Sequence, residues 1–91
     1  MLYVISYDIA DDERRSQVAK ILLDFGRRVQ YSVFEAYLGV SSLTTLKKRL
    51  RQAILDDEDS IRIYRVCGDC EKHIEILGQG KSTKPPDVYV L

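Results

Sequence analysis

Residues Leu2 to Ile9 make an apolar run that is β-branched or aromatic on both parities, broken mainly by Ser6 and Asp8. Side chains alternate across a strand, so a run apolar at odd and even positions alike describes a central strand covered on both faces. That demand falls on a chain of 91 residues. A domain of this size buries roughly 60–68% of the surface its unfolded chain exposes, enough for one core and little more. The rest of the sequence must supply two covers for one sheet, or borrow one.

The segments that follow supply one. Asp11 or Asp12 offers an N-cap, and acids in the first turn suit the helix dipole. Val18, Ile21, Leu22 and Phe25 recur at helical spacing, and Gly26 stands where a left-handed cap would close a helix running from about Glu13 to Phe25. Arg27 to Leu38 reads as extended chain, either one long strand or two short ones bent near Tyr31-Ser32. Ser41 or Ser42 can cap a second helix, with Leu43, Leu46, Leu50, Ala53 and Ile54 as its apolar stripe. Acidic residues from Asp56 to Asp59 end it in a loop. Ile61 to Val66 and Ile74 to Leu77 read as strands. Val88 to Leu91 is an apolar, β-prone tail beyond the stretch Gly78 to Pro86, where proline stops any strand.

This order predicts an α+β chain of the ferredoxin-like type. It is β-α-β-β-α-β with an additional C-terminal strand and two helices on one face of an antiparallel sheet. One domain is expected over residues 1–91, with 79–91 a linker and C-terminal strand able to exchange between protomers. The uncovered face is expected to meet a second copy, which makes the chain a homodimer.

Lysine plus arginine and aspartate plus glutamate both number 14, so the net charge is zero. That excludes a generally basic protein that coats nucleic acid, and any such contact must come from a local patch. Arg14-Arg15 and Arg27-Arg28 are candidates, because guanidinium forks match phosphate oxygens. The run Lys47-Lys48-Arg49 with Arg51 reads as a solvated helix face. No apolar run approaches the roughly 18 residues of a membrane span. With no basic residue before its first apolar stretch, the N-terminus does not read as a secretory signal, so a cytoplasmic location is expected. Cys67 and Cys70 form a CxxC with His73 three residues on, read here as a turn at a strand end. A zinc site usually takes four ligands, and a redox pair normally opens a helix rather than following a strand-like run.

Tyr7-Asp8-Ile9 ending the first strand, Arg14-Arg15 opening the helix, Arg28-Val29-Gln30-Tyr31-Ser32-Val33-Phe34-Glu35 and Asp59-Ser60-Ile61-Arg62-Ile63-Tyr64 together resemble the CRISPR-associated Cas2 family. The resemblance runs from Met1 to about Val66. It implies the ferredoxin-like fold, and it implies that the bend near Tyr31-Ser32 is real. It also marks Asp8 as the catalytic carboxylate and the ligand of a divalent metal, Mg2+ (or Mn2+). From the residues alone Asp8 reads rather as a helix cap or a partner of Arg14 or Arg15, and the resemblance reverses that order. The resemblance implies two roles: a dimeric subunit bridging the Cas1 integrase along duplex DNA during spacer acquisition, or a metal-dependent endonuclease cutting RNA, including single strands, or DNA. A toxin-like endoribonuclease of the same fold and a ferredoxin-like module binding a small molecule are the alternatives.

Overall fold

The computed structural model describes residues 1–83. Its elements run β1 (Leu2–Asp8), α1 (Asp12–Leu23), β2 (Arg27–Gln30), β3 (Val33–Tyr37), α2 (Val40–Ala53), β4 (Ser60–Val66) and the single turn α3 (Gly68–Glu71). The strands form one sheet in the order β2-β3-β1-β4, every neighbouring pair antiparallel. This is the expected ferredoxin-like arrangement. The bend at Tyr31-Ser32 is real, and it separates two short strands.

Both long helices pack on one face. Tyr3, Ile5 and Tyr7 of β1, with Phe34 and Ala36 of β3, point into the core against Val18, Ile21 and Leu22 of α1 and Leu46 and Leu50 of α2. On the other face lie Val4 and Ser6, half-buried, and Asp8, exposed. The register places Val33 beside Ser6, Glu35 beside Val4 and Tyr37 beside Leu2 on one flank, with Arg62, Tyr64 and Val66 on the other. This open face is mixed rather than uniformly apolar. The two-sided pattern of Leu2 to Ile9 is thus satisfied on the helix side and only partly on the other.

Four local expectations are corrected. Gly26 does not take a left-handed conformation; positive φ occurs only at Gly78 and Gly80 among the described residues. α1 stops earlier, at Leu23, with the Asp24 N–H bonding back to the Ile21 carbonyl and the Phe25 and Gly26 N–H groups to the Leu22 carbonyl. Gly26 is instead required by a close approach, because a Cβ there would lie 2.2 Å from the Glu35 carbonyl oxygen. α2 begins at Val40 with Gly39 at its N-cap and no side-chain cap, so neither Ser41 nor Ser42 fills that role.

Ile74 to Leu77 is not a strand. It belongs to an irregular strap that reaches the open face at the Leu2–Tyr37 end. The Tyr37 hydroxyl donates to the Glu71 carboxylate, and the Thr83 hydroxyl donates to Glu35. Side chains, and not a backbone ladder, fasten this segment, which is why the alternation of Ile74 and Ile76 misleads. Burial, and then the Glu71 hydrogen bond, push the Tyr37 phenol up to about 12. The CxxC follows β4 directly, as expected, and forms the single turn α3 with Cys67 as its N-cap. The expected tail strand Val88 to Leu91 lies outside the described residues.

Candidate nucleic-acid interface around Asp8

Asp8 ends β1, the central strand, opposite Ser60 of β4 and two residues beyond Ser6, the last residue paired with β3. The strand's alternation sends Tyr7 inward and Asp8 to the open face, as the sequence predicts. Structural roles that Asp8 might otherwise fill are taken by other residues. Asp11 caps α1, its carboxylate accepting the Arg14 backbone N–H at 2.9 Å. Arg14 grips Asp59, and Arg15 donates to the Ile9 and Ala10 carbonyls at 2.9 and 3.1 Å and to the Asp12 carboxylate. Asp8 remains exposed and takes part in no ion pair among the described residues.

The four arginines sit in four different environments. Arg14 forms a two-pronged pair with Asp59, from Nε at 2.7 Å and from Nη2 at 3.1 Å, and also faces Glu58 at 3.5 Å. It ties α1 to the loop before β4. Arg15 pins the backbone just after Asp8. Arg28 donates to the Tyr7 hydroxyl at 3.3 Å and lies over the Phe34 ring at 5.2 Å. Arg27 is exposed on the edge strand β2, on the same face as Glu35. Arg27 is therefore the most available of the four, and Arg14 the least.

One feature here is not evident in the sequence. The Tyr31 ring is 70% exposed and sits between two guanidinium groups, Arg15 at 6.0 Å and Arg28 at 5.9 Å from its centroid. Its carbonyl accepts the Tyr7 hydroxyl at 3.2 Å, and the neighbouring Ser32 carbonyl accepts the Tyr7 backbone N–H at 3.1 Å. An aromatic face flanked by cations, near an exposed carboxylate, suits stacking on a base and contact with its phosphates. The only signal in the sequence is an aromatic residue at a turn just after the Arg27-Arg28 pair.

A divalent ion tests this constellation. Among the described residues, no group of three or more His, Cys, Asp or Glu side chains gathers to hold a metal. One chain offers the single exposed carboxylate of Asp8. Magnesium accepts one or two carboxylates and completes its octahedron with water and phosphate oxygens. A lone Asp8 is a weak ligand set, whereas two Asp8 side chains brought together by a two-fold axis fit.

The pair Arg14–Asp59 gives a testable consequence. The Asp59 side chain is fully shielded from solvent. The Arg14 hydrogen bond, and then the Leu55 backbone N–H, hold its carboxyl below the ordinary value of 3.8. A depressed folded-state pKa stabilises the fold above that ordinary value, and the contribution is lost as pH falls through the depressed one. Asp59→Asn should lower the urea midpoint at neutral pH and flatten the acid limb. The gap between variant and parent should stay open down to the ordinary carboxylate value and close only as pH falls through the depressed one.

A family model described as CRISPR associated protein Cas2 matches residues 1–74. The chain is 48% identical over 90 residues to a protein of Synechocystis named CRISPR-associated endoribonuclease Cas2 3, covering 99% of this chain and 98% of that one. Its fold superposes on the crystal structure of Streptococcus pyogenes Cas2 with a TM-score of 0.76 at 35% identity, covering 86% of this chain and all of that one. A chain of a solved partial Cas6-RT-Cas1–Cas2 complex matches with a TM-score of 0.72 at 27% identity, over 84% of this chain and 89% of that one.

Proposed function

This chain belongs to the CRISPR-associated Cas2 family, and on that premise we propose that it is a dimeric nucleic-acid-binding subunit of a Cas1–Cas2 adaptation assembly. The observation that carries the reading is the open sheet face with Asp8 at its end, exposed and without structural employment. The solved complex supports the Cas1 partner. Two copies meeting through Val4, Tyr64 and Val66 would bury the half-covered apolar positions and bring their Asp8 side chains toward a common axis. Sedimentation at micromolar concentration should give a dimer. A clean monomer removes the two-fold on which the reading depends.

Nucleic-acid contact in this reading runs through Arg27 and the Arg15–Tyr31–Arg28 cluster of each copy. Such contacts go to phosphates and stacked bases and read no sequence. Each phosphate neutralised on a duplex contributes about −0.9 to the slope of log affinity against log salt. Arg27→Ala with Arg28→Ala should flatten that slope and weaken all duplexes alike. A slope that stays put, or affinity that tracks base sequence, identifies this as the wrong surface.

A second reading, that of a metal-dependent endonuclease, draws support from the Synechocystis relative's name. Here the paired Asp8 carboxylates would hold Mg2+ (or Mn2+), which when bound would supply charge neutralisation of the phosphate and activation of water. The chain's own part is to hold Asp8 on a rigid strand end and to place the phosphate with Arg27 and Arg28. Asp8→Asn keeps the shape and removes the charge. It should leave the dimer intact and abolish magnesium-dependent cleavage of RNA or DNA. Full cleavage by that variant overturns the assignment.

A further inference from the structure

Cys67 and Cys70 play no part in the reading above, and their geometry is specific. Both thiols are free and exposed. The Cys67 sulfur accepts the Cys70 backbone N–H at 3.3 Å, which folds the four-residue segment into one turn with a cysteine at each end of the CxxC. The Cys70 backbone N–H first, then the Cys70 thiol, with Arg65 adding a smaller effect, hold the Cys67 thiol below its ordinary value. The same contact pushes the Cys70 thiol up. The two sulfurs are thus unequal, Cys67 losing its proton the more readily of the two. His73 does not complete a metal-binding group with them among the described residues. The arrangement is that of an attacking and a resolving thiol.

We propose that Cys67 and Cys70 are a reversible dithiol–disulfide couple whose reaction partners are low-molecular-weight disulfides of the glutathione class. The Cys67 thiolate attacks one sulfur of the small disulfide, forming a mixed disulfide and releasing one small thiolate. That thiolate takes the Cys70 proton. The Cys70 sulfur then attacks the Cys67 sulfur, closes the Cys67–Cys70 bond and expels the second small thiolate, which is protonated from solvent. The chain gives up two electrons and two protons, and the small disulfide becomes two thiols. Reduction by an excess of small thiol runs the same steps backwards.

The couple sits at the root of the strap. Cys70 directly precedes Glu71, whose carboxylate accepts the Tyr37 hydroxyl on the open face. Closing the disulfide fixes the turn that carries Glu71, so the redox state acts on the segment that covers the Leu2–Tyr37 end of that face.

The full-length protein, incubated with oxidised glutathione, should lose two hydrogens in intact mass without forming linked dimers, and dithiothreitol should restore them. Cys70→Ser should instead trap one glutathione on Cys67. Cys67→Ser should accept glutathione on Cys70 more slowly than that, on the order of tenfold at neutral pH, because the remaining thiol gives up its proton less readily. Three results overturn the proposal: chain-to-chain disulfides as the main product, equal rates for the two single variants, or a parent protein that keeps both thiols under conditions where free cysteine is oxidised. Both positions are exposed, so loss of fold does not stand between the variants and the readout.

Discussion

A four-stranded sheet has two faces to cover, and the described residues bring helices for only one of them. Helix packing fixes the inward set of Tyr3, Ile5, Tyr7, Phe34 and Ala36 without latitude, because a slip of one residue in register would send the polar set into the core. Everything on the second face is then determined by alternation. Val4, Ser6 and Asp8 share it because they are not Tyr3, Ile5 and Tyr7. The strap that follows β4 covers one end, where Leu2 is buried, and leaves the end with Asp8 open. The position available to chemistry or to a partner follows from what the core had to exclude.

Part of the charge in this molecule is spent on holding its own loops, which matters for a chain with no net charge to draw a polyanion from a distance. Arg14 and Asp59 join the start of α1 to the loop before β4, and Arg49 reaches Asp24 at 3.0 Å across the two long helices. Exposed pairs of the second kind are worth little, and their loss would barely register. The shielded pair differs, because removing either partner strands a charge that the fold has taken out of water. The consequence for binding is selective. Clusters of arginine that look equivalent in the sequence divide into structural clamps and available cations, and only the second group can answer to phosphate.

Much of this was legible in the sequence, and the exceptions share a cause. Two-sided apolarity in Leu2 to Ile9, the helical spacing of Val18, Ile21, Leu22 and Phe25, and the Val-Gln-Tyr-Ser-Val-Phe-Glu string led to the right element order, the right sheet and the right family. Those signals are local, or repeat along the chain. Ile74 to Leu77 failed because alternation describes a strand only if an edge is there to pair with it, and the strap is fastened by Glu71 and Thr83 instead. Gly26 was read as a cap when its glycine serves an approach to Glu35, a residue nine positions away that sequence spacing cannot place. The stacking site was missed for the same reason: Arg15 and Tyr31 come from different elements and meet only in the folded chain. Cys67 and Cys70 were read as following a strand, which they do, yet the same residues also open a helical turn.

Tyr7 shows how the core and the open end are coupled. It is buried, its ring lies 6.3 Å from that of Phe34, and its hydroxyl both donates to the Tyr31 carbonyl and accepts from Arg28. One interior residue therefore fixes the turn that presents Tyr31 and holds the guanidinium beside it. The next residue along the strand is Asp8. A side chain displayed from a packed strand is held more tightly than one displayed from a loop, and its neighbours here are anchored through the same strand. The turn, the cations and the carboxylate thus keep a common frame even though only Tyr7 among them is in the core. Loosening Tyr7 would move all three together, whereas changing Asp8 alters the charge at the site and leaves its frame standing.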